Sequence, residues 1–565
     1  MGISKTLGSF FFPFAALVVW PSPTQLFCDS ASNHILYLMQ TGHAQRALEI
    51  YKQNYTKTGH HDADLIQQIG LSLLDQGFRS TDPEIQLLTI YGAGIATNEK
   101  VLYILENGLN NPVPQIQLIA LNFLAQYHND RADEALNKAM SSPFLVIRLE
   151  AALHLAEKKY PTIVGQLESL FAKLDEELMP LLPQLFALVG NPSAVKVLKK
   201  MLNHSNEQVR IEAILSCAEH GRDDLLSHIR TLATQHGPAQ QEACAYALGA
   251  LKDEKSIPRL EALSISTNSS VRLAALAALY QLGKKESQKR IEQMATKSRD
   301  LFAINALADI PGSEPILYEL MQSKIQAVKF NAALALLEQK DPRCVKTLLD
   351  VLIKDSRDLT FVKSFSPGQG LYAWKIIPSS RQNHNDNPVL LEVSLKMRET
   401  VLQKMLDLPE QDFLNIAHTL FEVQQNDLIP ILVELLENLQ TPAAIKLLKL
   451  HQQKAGAPLI RNYCNLALYR LKEKGPYGNN LREWIAKTHD IDFIKFRTLI
   501  PWEMREGGSQ HQLTPEETSR LLIESFDAFL KTQDDEGIEV LLEAIHKGNP
   551  KNKYALAGLL MRASQ

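Results

Sequence analysis

Apolar residues recur three and four positions apart through most of the chain, which is the spacing of amphipathic α-helices. Three of these stretches can be superposed directly: VIRLEAALHLA (146–156), QVRIEAILSCA (208–218) and SVRLAALAALY (270–280). Their arginines, Arg148, Arg210 and Arg272, are evenly spaced along the chain, and similar apolar segments open halfway between them. The residues that occupy the other equivalent positions are Gln86, Gln117, Met179 and Gln241. The pattern predicts an internal repeat of about 31 residues.

Each repeat contains a second amphipathic segment after the first. Examples are SAVKVLKKMLN (193–203), SIPRLEALSIS (256–266) and VKTLLDVLIKD (345–355). Gly190, Gly221 and Gly283 follow the first segment with the same period, and glycine suits the left-handed residue that ends a helix. Each repeat is therefore predicted to be a pair of helices joined by a tight turn.

One helix pair cannot bury its own apolar face, so stacked pairs must form a continuous core. The expected fold class is all-α, an α-solenoid or superhelix of helix pairs. Val209-Arg210, Val271-Arg272 and Ile257-Pro258-Arg259-Leu260 resemble the HEAT family, most closely its bacterial PBS-lyase type, over about residues 82–355. This resemblance implies a curved superhelix that serves as a protein-binding scaffold. Pro180 and Pro183 depart from the family pattern around Met179, where irregular stacking is expected.

The repeated arginines Arg148, Arg210 and Arg272 have two interpretations. They could form a basic ladder that grips an acidic partner. Alternatively, each could bond the end of a neighbouring helix or an adjacent acidic side chain. Recurrence at the period of the repeat favours this structural interpretation, because every unit faces the same stacking problem.

Residues 1–30 have the three parts of a secretory signal. Lys5 provides a positive charge, residues 7–20 (LGSFFFPFAALVVW) are apolar, and a polar stretch follows. We expect cleavage after Ser30 or Ser32, and membrane contact only if the signal is retained. Three alternatives stay open: an uncleaved anchor, a lipoprotein modified at Cys28, and a buried apolar helix without an export role.

Composition shifts divide the rest of the chain into five parts. Residues 31–81 are predicted to form an N-terminal helical cap, in which AQRALEIYKQNY (44–55) resembles a tetratricopeptide-type helix. Residues 82–355 form the HEAT-like solenoid, 356–390 an irregular loop insertion, and 391–495 further HEAT-like repeats. Residues 496–565 combine a loop with a C-terminal helical cap, which an open solenoid needs for solubility.

The insertion 356–390 is rich in glycine, proline and polar residues, and a long loop in a compact protein is commonly functional or disordered. Tyr372, Trp374, Lys375 and Arg381 are the candidate partner-binding residues, because exposed aromatic and basic side chains anchor interfaces. The alternative is that the two aromatic side chains fold back onto the solenoid.

The net charge and the lack of catalytic motifs exclude several classes of function. The chain has 59 basic and 63 acidic residues, a net charge of −4, which disfavours nucleic acid as a partner. No nucleotide-binding, hydrolase or zinc-protease motif is present, so no catalytic residue, metal or cofactor is assigned. His60-His61-Asp62 is better explained as a polar helix start than as a metal site. Cys217 and Cys244, on adjacent apolar faces, are either buried thiols or a disulfide between repeats.

The leading hypothesis is a non-enzymatic scaffold or adaptor of the bacterial cell envelope that binds one or more proteins. Its location would be the periplasm or envelope, with secretion as an alternative. Two other functions remain open: a secreted or surface-exposed adhesin or effector, and a bilin lyase-like enzyme or enzyme accessory, which the family resemblance alone raises.

Overall fold

The structure is a computed structural model of the 565-residue chain. It describes residues 23–59, 61–235, 237–353, 359–364, 373–378, 388–454, 456–488, 517–550 and 552–563. Within these residues the chain forms 30 α-helices and one pair of short strands.

The first 21 helices precede the strands. Three of them come before the predicted repeats: α1 (Pro23–Gln40), α2 (Ala44–Thr58) and α3 (Ala63–Phe78). The helices of the main array are α4 (Pro83–Ala96), α5 (Leu102–Gly108), α6 (Pro114–Ala125), α7 (Asp130–Ala139), α8 (Leu145–Glu157), α9 (Ile163–Phe171), α10 (Pro183–Val189), α11 (Pro192–Met201), α12 (Glu207–Glu219), α13 (Leu226–Leu232), α14 (Pro238–Ala250), α15 (Ile257–Leu263), α16 (Ser269–Gln281), α17 (Ser287–Lys297), α18 (Leu301–Ala306), α19 (Glu314–Met321), α20 (Gln326–Glu338) and α21 (Val345–Ile353).

Strands β1 (Leu359–Ser364) and β2 (Ala373–Pro378) form an antiparallel hairpin inside the segment that the sequence predicts to be irregular. In its register Leu359 pairs with Pro378 and Ser364 with Ala373. The helices after the hairpin are α22 (Pro388–Lys404), α23 (Glu410–Glu422), α24 (Ile429–Leu439), α25 (Pro442–Gln452), α26 (Pro458–Arg470), α27 (Tyr477–Thr488), α28 (Glu517–Lys531), α29 (Asp535–Lys547) and α30 (Asn552–Leu560).

The helix boundaries follow local chemistry. Asn206 and Asn268 precede α12 and α16, and each side chain accepts a hydrogen bond from a backbone N–H of the first turn, which satisfies a donor that the helix leaves unpaired. At the other end, Gly190, Gly221 and Gly283 have φ values of 61°, 64° and 88°. These are left-handed conformations, which glycine adopts without the penalty of a Cβ. The predicted turn glycines therefore end first helices.

The helices stack in two layers. We call α4 and every second helix after it, through α28, the first helices, and α5 and every second helix through α29 the second helices. Successive first helices contact each other along most of the array, and each second helix packs against its own first helix, the next first helix or both. One continuous apolar core results, as the α-solenoid prediction requires. The unit at Met179 is irregular, with a 3₁₀ turn at Met179–Leu181 before the short α10.

The two ends of this array pack against each other. Helix α30 lies against α4, as one first helix lies against the next, and it also lies against α3. Helix α3 in turn contacts α4, so it occupies the position of a second helix paired with α30. The last helix of the chain and an N-terminal helix thus form a composite pair that closes the array. The two segments predicted to cap separate ends meet in the structure.

Close backbone approach makes this closure possible. Any Cβ at Gly558 in α30 would collide with the carbonyl oxygen of Gly92 in α4. Polar contacts add to the packing: the Arg562 guanidinium donates to the carbonyl oxygen of Ile95 at 2.6 Å. Between α2 and α29, the ammonium of Lys52 lies 3.4 Å from a carboxylate oxygen of Glu543. The seam therefore combines apolar burial with hydrogen bonds and a partly exposed ion pair.

Residues 1–22 of the predicted signal lie outside the described residues. Helix α1 begins at Pro23 and runs through Ser30 and Ser32, the two predicted cleavage positions. Among the described helices, none combines the length and the apolar character needed to cross a membrane.

We expect Gly558→Ala to destabilise the protein by about 1–3 kcal/mol, because the added methyl group would force α30 away from α4. Gly165→Ala is the matched control: Gly165 lies in α9 with open space around it, and alanine there should stabilise the helix by up to about 1 kcal/mol. Urea denaturation measures both effects, and hydrogen exchange should show faster exchange in α30 and α4 of the first variant. Equal stability of the two variants would contradict the close approach at the seam.

Candidate protein-binding site

The regular stacking of first helices is interrupted at α18. Helices α12, α14, α16 and α20 each have 13 residues, whereas α18 has 6 and continues only as a 3₁₀ turn at Leu307–Asp309. Helix α18 contacts the preceding unit mainly through α17, whereas α16 and α18 barely touch. The shortened helix leaves a gap between α16 and α20.

This gap is a cavity of about 360 Å³, at the small end of the range of ligand-binding pockets. Residues from α14, α16, α18, α20 and α22 line it. Much of the wall is alanine: Ala274, Ala277, Ala278, Ala306, Ala308 and Ala335. Small side chains and a short helix together create the space.

Comparison of the repeats shows that Ala277 is a small residue at a position where other units have a large one. The residue five positions after the repeated Arg or Gln is Leu153 in α8, Leu215 in α12 and Tyr246 in α14. In α16 the same position is alanine, and it lines the cavity. This site was not predicted from the sequence, although two signals were visible there: a small residue at a position that is large in other repeats, and the short unit at Asp300.

Charged groups lie at one side of the cavity. The carboxylates of Asp309 and Glu338 and the ammonium of Lys404 are among its lining groups, and Lys404 forms an ion pair with Glu338. The surrounding protein restricts the hydration of Asp309, although its side chain still touches solvent, and this raises the pKa of its carboxyl group. Repulsion from Glu338 acts in the same direction, so a further cation beside these carboxylates would be stabilised.

The hairpin lies next to the cavity. Strand β2 contacts α20 and α18, and β1 contacts α22, so the hairpin backbone adjoins three helices that line the cavity. Of the predicted binding residues, Trp374 and Lys375 lie on β2, where their backbones pair with Lys363 and Val362. Tyr372 and Arg381 lie outside the described residues.

The repeated arginines bond the repeat itself. Arg148 donates to the carbonyl oxygen of Ser142 at 2.6 Å, Arg210 to that of His204 at 2.8 Å, and Arg272 to that of Ser266 at 2.7 Å. In each case the acceptor lies six residues earlier, just after the preceding second helix has ended.

Glutamines at the same position make the same bond. The side-chain amides of Gln86, Gln117 and Gln241 donate to the carbonyl oxygens six residues earlier, at 2.8, 2.6 and 2.8 Å. A donor of the first helix thus satisfies a carbonyl group at the end of the preceding unit, which secondary structure leaves unpaired.

Two other sequence-derived alternatives can be placed. Both ring nitrogens of His61 are engaged, Nδ1 with the Tyr51 hydroxyl at 3.0 Å and Nε2 with the carbonyl oxygen of Asp535 at 3.1 Å. Asp62 caps α3 by accepting from the Leu65 N–H, while His60 lies outside the described residues. Cys217 and Cys244 are buried free thiols, and burial raises the pKa of the Cys217 thiol to about 12.

Comparisons with known proteins identify the repeat. The profile of the family described as HEAT repeats matches residues 195–280. None of the curated proteins matches the sequence. Similar solved structures include the complex of CpcE and CpcF of phycocyanin lyase from Nostoc sp. PCC7120, at 20% identity and a TM-score of 0.29, covering 38% of this chain and 92% of that one.

Two larger proteins show a similarity of the same order. The karyopherin Kap121p, bound to the extreme C-terminus of the protein phosphatase Cdc14p, is 12% identical over 94% of this chain and 79% of its own, with a TM-score of 0.32. UNC-45 from Drosophila melanogaster is 12% identical over 94% of this chain and 85% of its own, with a TM-score of 0.32. At these low scores, none of the three structures carries an argument about the function of this chain.

The helix pairs and the family match together define the class of protein. Within the described residues the chain is an α-solenoid of helix pairs, all-α apart from the hairpin, as the sequence predicts, and residues 195–280 of it match the HEAT repeats.

We expect Arg272→Met to destabilise the protein by about 1–2 kcal/mol, because it keeps the aliphatic stem but leaves the Ser266 carbonyl group without its donor. Arg272→Gln should cost less than about 0.5 kcal/mol, because glutamine makes this bond in three other units. Urea denaturation compares the two variants. Unchanged stability of Arg272→Met would contradict a structural role and favour the partner-gripping interpretation.

Proposed function

We propose that this chain is a non-enzymatic protein-binding scaffold of the bacterial cell envelope and that it holds its partner at the cavity between α16 and α22. The observation that carries the proposal is the cavity itself, an alanine-lined gap in the repeat next to a hairpin. A stacked array with such a gap offers a partner a shaped, largely apolar recess, which is where anchoring side chains of interfaces bind.

The chemistry of the cavity indicates its occupant. Its apolar wall suits an aliphatic or aromatic side chain, whose burial contributes about 1.5–3 kcal/mol. Two carboxylates, Asp309 and Glu338, stand against one ammonium, Lys404, so the charged side carries a net negative charge. The proposed occupant is therefore a segment of a partner protein in which an apolar residue is close to a lysine or arginine.

The proposed location in the envelope rests on the N-terminal sequence. Lys5, the apolar stretch 7–20 and the polar stretch after it have the order of charge, apolar core and cleavage region that export signals share. The buried thiols are compatible with this location, because raised pKa values keep them in the unreactive thiol form in an oxidising compartment.

We expect Ala277→Tyr to weaken partner binding at least about tenfold by filling the cavity, with little effect on the fold, since tyrosine occupies this position in α14. Leu215→Tyr is the matched control, because it places the same residue at the same repeat position in α12, outside the cavity. Carbodiimide, which joins carboxylates to neighbouring lysines, would be applied to native cells that produce each tagged variant.

Mass spectrometry should then find a partner lysine, with an apolar residue near it in sequence, joined to Asp309 or Glu338. The cross-link should occur in the wild type and in Leu215→Tyr and be lost in Ala277→Tyr. A cross-linked partner that persists unchanged in Ala277→Tyr would exclude this cavity as the binding site. A small molecule that co-purifies with the wild type alone would identify a ligand pocket in place of a protein-binding one.

The proposed export can be tested separately from the proposed binding site. The mature chain, tagged at its C-terminus in its native cell, should fractionate with the envelope and begin at residue 31 or 33 when its N-terminus is sequenced. Lys5→Glu within an otherwise unchanged signal should reduce export, because the positive charge orients the signal in the membrane. A full-length chain found only in the cytosol would contradict the location while leaving the binding proposal intact.

A further inference from the structure

A cluster of possible metal ligands lies among the second helices, away from the cavity. Helix α23 carries His418 and Glu422, which are four residues apart and thus one turn from each other on the same face. Helix α25, the next second helix, carries His451 in its last turn. The sequence alone does not reveal this cluster, because the two histidines lie in different repeats and only the stacking of those repeats brings them together.

The distances within the cluster suit a transition metal. His418 Nδ1 lies 2.9 Å from His451 Nε2 and 3.8 Å from Glu422 Oε1, and His451 Nε2 lies 4.0 Å from the same oxygen. A circle through three points with these separations has a radius of about 2.1 Å, which is the length of a zinc–nitrogen or zinc–oxygen bond. One ion could therefore reach all three atoms without movement of the helices.

One ligand is fixed and two are adaptable. The His451 side chain is 1% exposed, and its ring packs on that of Phe421 with 4.4 Å between the ring centroids. His418 and Glu422 are 47% and 43% exposed, so they can adjust their rotamers. The two imidazoles now share a hydrogen bond, and a shift of that proton to the other nitrogen of the donor ring would free both lone pairs.

The carboxylate of Glu422 is already paired with a cationic side chain. The ammonium of Lys454, just beyond the end of α25, forms an ion pair with Glu422. Lys454 is 43% exposed, so it can swing into solvent when a more highly charged ion arrives. The lysine thus stands where a divalent cation would interact, and it should compete with that cation.

We propose that His418, Glu422 and His451 bind a zinc ion that links α23 to α25. Two imidazoles and one carboxylate are a ligand set that zinc accepts, with a fourth position open to water or to a donor from a partner. The ion would join two consecutive repeats through their second helices, so binding would stabilise the folded chain by mass action.

The test uses the full chain, freed of metal with a chelator and titrated with zinc chloride in a calorimeter. We expect one zinc ion per chain and a higher unfolding temperature with zinc. Cobalt, as a spectroscopic substitute, should give the intense visible absorption of a four-coordinate site. His418→Ala should weaken zinc binding more than about tenfold without harming the fold, because its side chain is half exposed. His34→Ala, an exposed histidine elsewhere, is the control and should bind zinc like the wild type.

We expect Lys454→Met to have the opposite effect on zinc binding. Removing a positive charge that competes for Glu422 should strengthen zinc binding at least about fivefold, the effect of one charge at about 4 Å even with full solvent screening. A structural role of the cluster without metal predicts no such gain. Zinc binding that is equal in His418→Ala and His34→Ala, or weaker in Lys454→Met, would overturn the proposal.

Discussion

The architecture depends on one constraint: the apolar face of a helix pair can be buried only by a neighbouring pair. In a linear array the two terminal pairs each lack a neighbour, so an exposed face remains at either end. In this chain α30 and α3 form one pair from opposite ends of the sequence, and that pair packs on α4. This composite pair thus supplies the neighbour that α4 would otherwise lack, and the residues at the closest approach are glycines because two backbones meet there.

Recurring polar contacts keep the stacked units in register, and a lapse in the packing of first helices marks the candidate binding site. Arginine or glutamine at the same position of six units donates to the carbonyl oxygen six residues earlier, which sets the first helix of the unit against the end of the preceding unit. Near α18 the units shorten and direct packing of first helices lapses. A repeat protein can tolerate such a gap, because each unit depends mainly on its neighbours.

Features with a local or periodic cause were predictable from the sequence. The regular step of the repeat, the glycines of the turns and the helical pairs follow from spacing and backbone preference. Closure was not predictable, because Gly92 and Gly558 belong to no common pattern and meet only after all intervening units have stacked. His418 and His451 likewise come together through stacking, whereas Ala277 could have been found by comparing equivalent positions of the repeats.

Closure also changes how binding at the cavity would affect the molecule. In an open solenoid, a change of angle between two pairs is absorbed by movement of the free ends. Here α30 holds α4, so a rotation of α22 against α16 must be compensated by opposite rotations elsewhere in the array. On the proposed function, a partner that enters the cavity would meet a largely preorganised site, and less of its binding free energy would be lost to ordering the scaffold. The proposed zinc link between α23 and α25 would act on the same closed array, since these helices pack in the units next to α22.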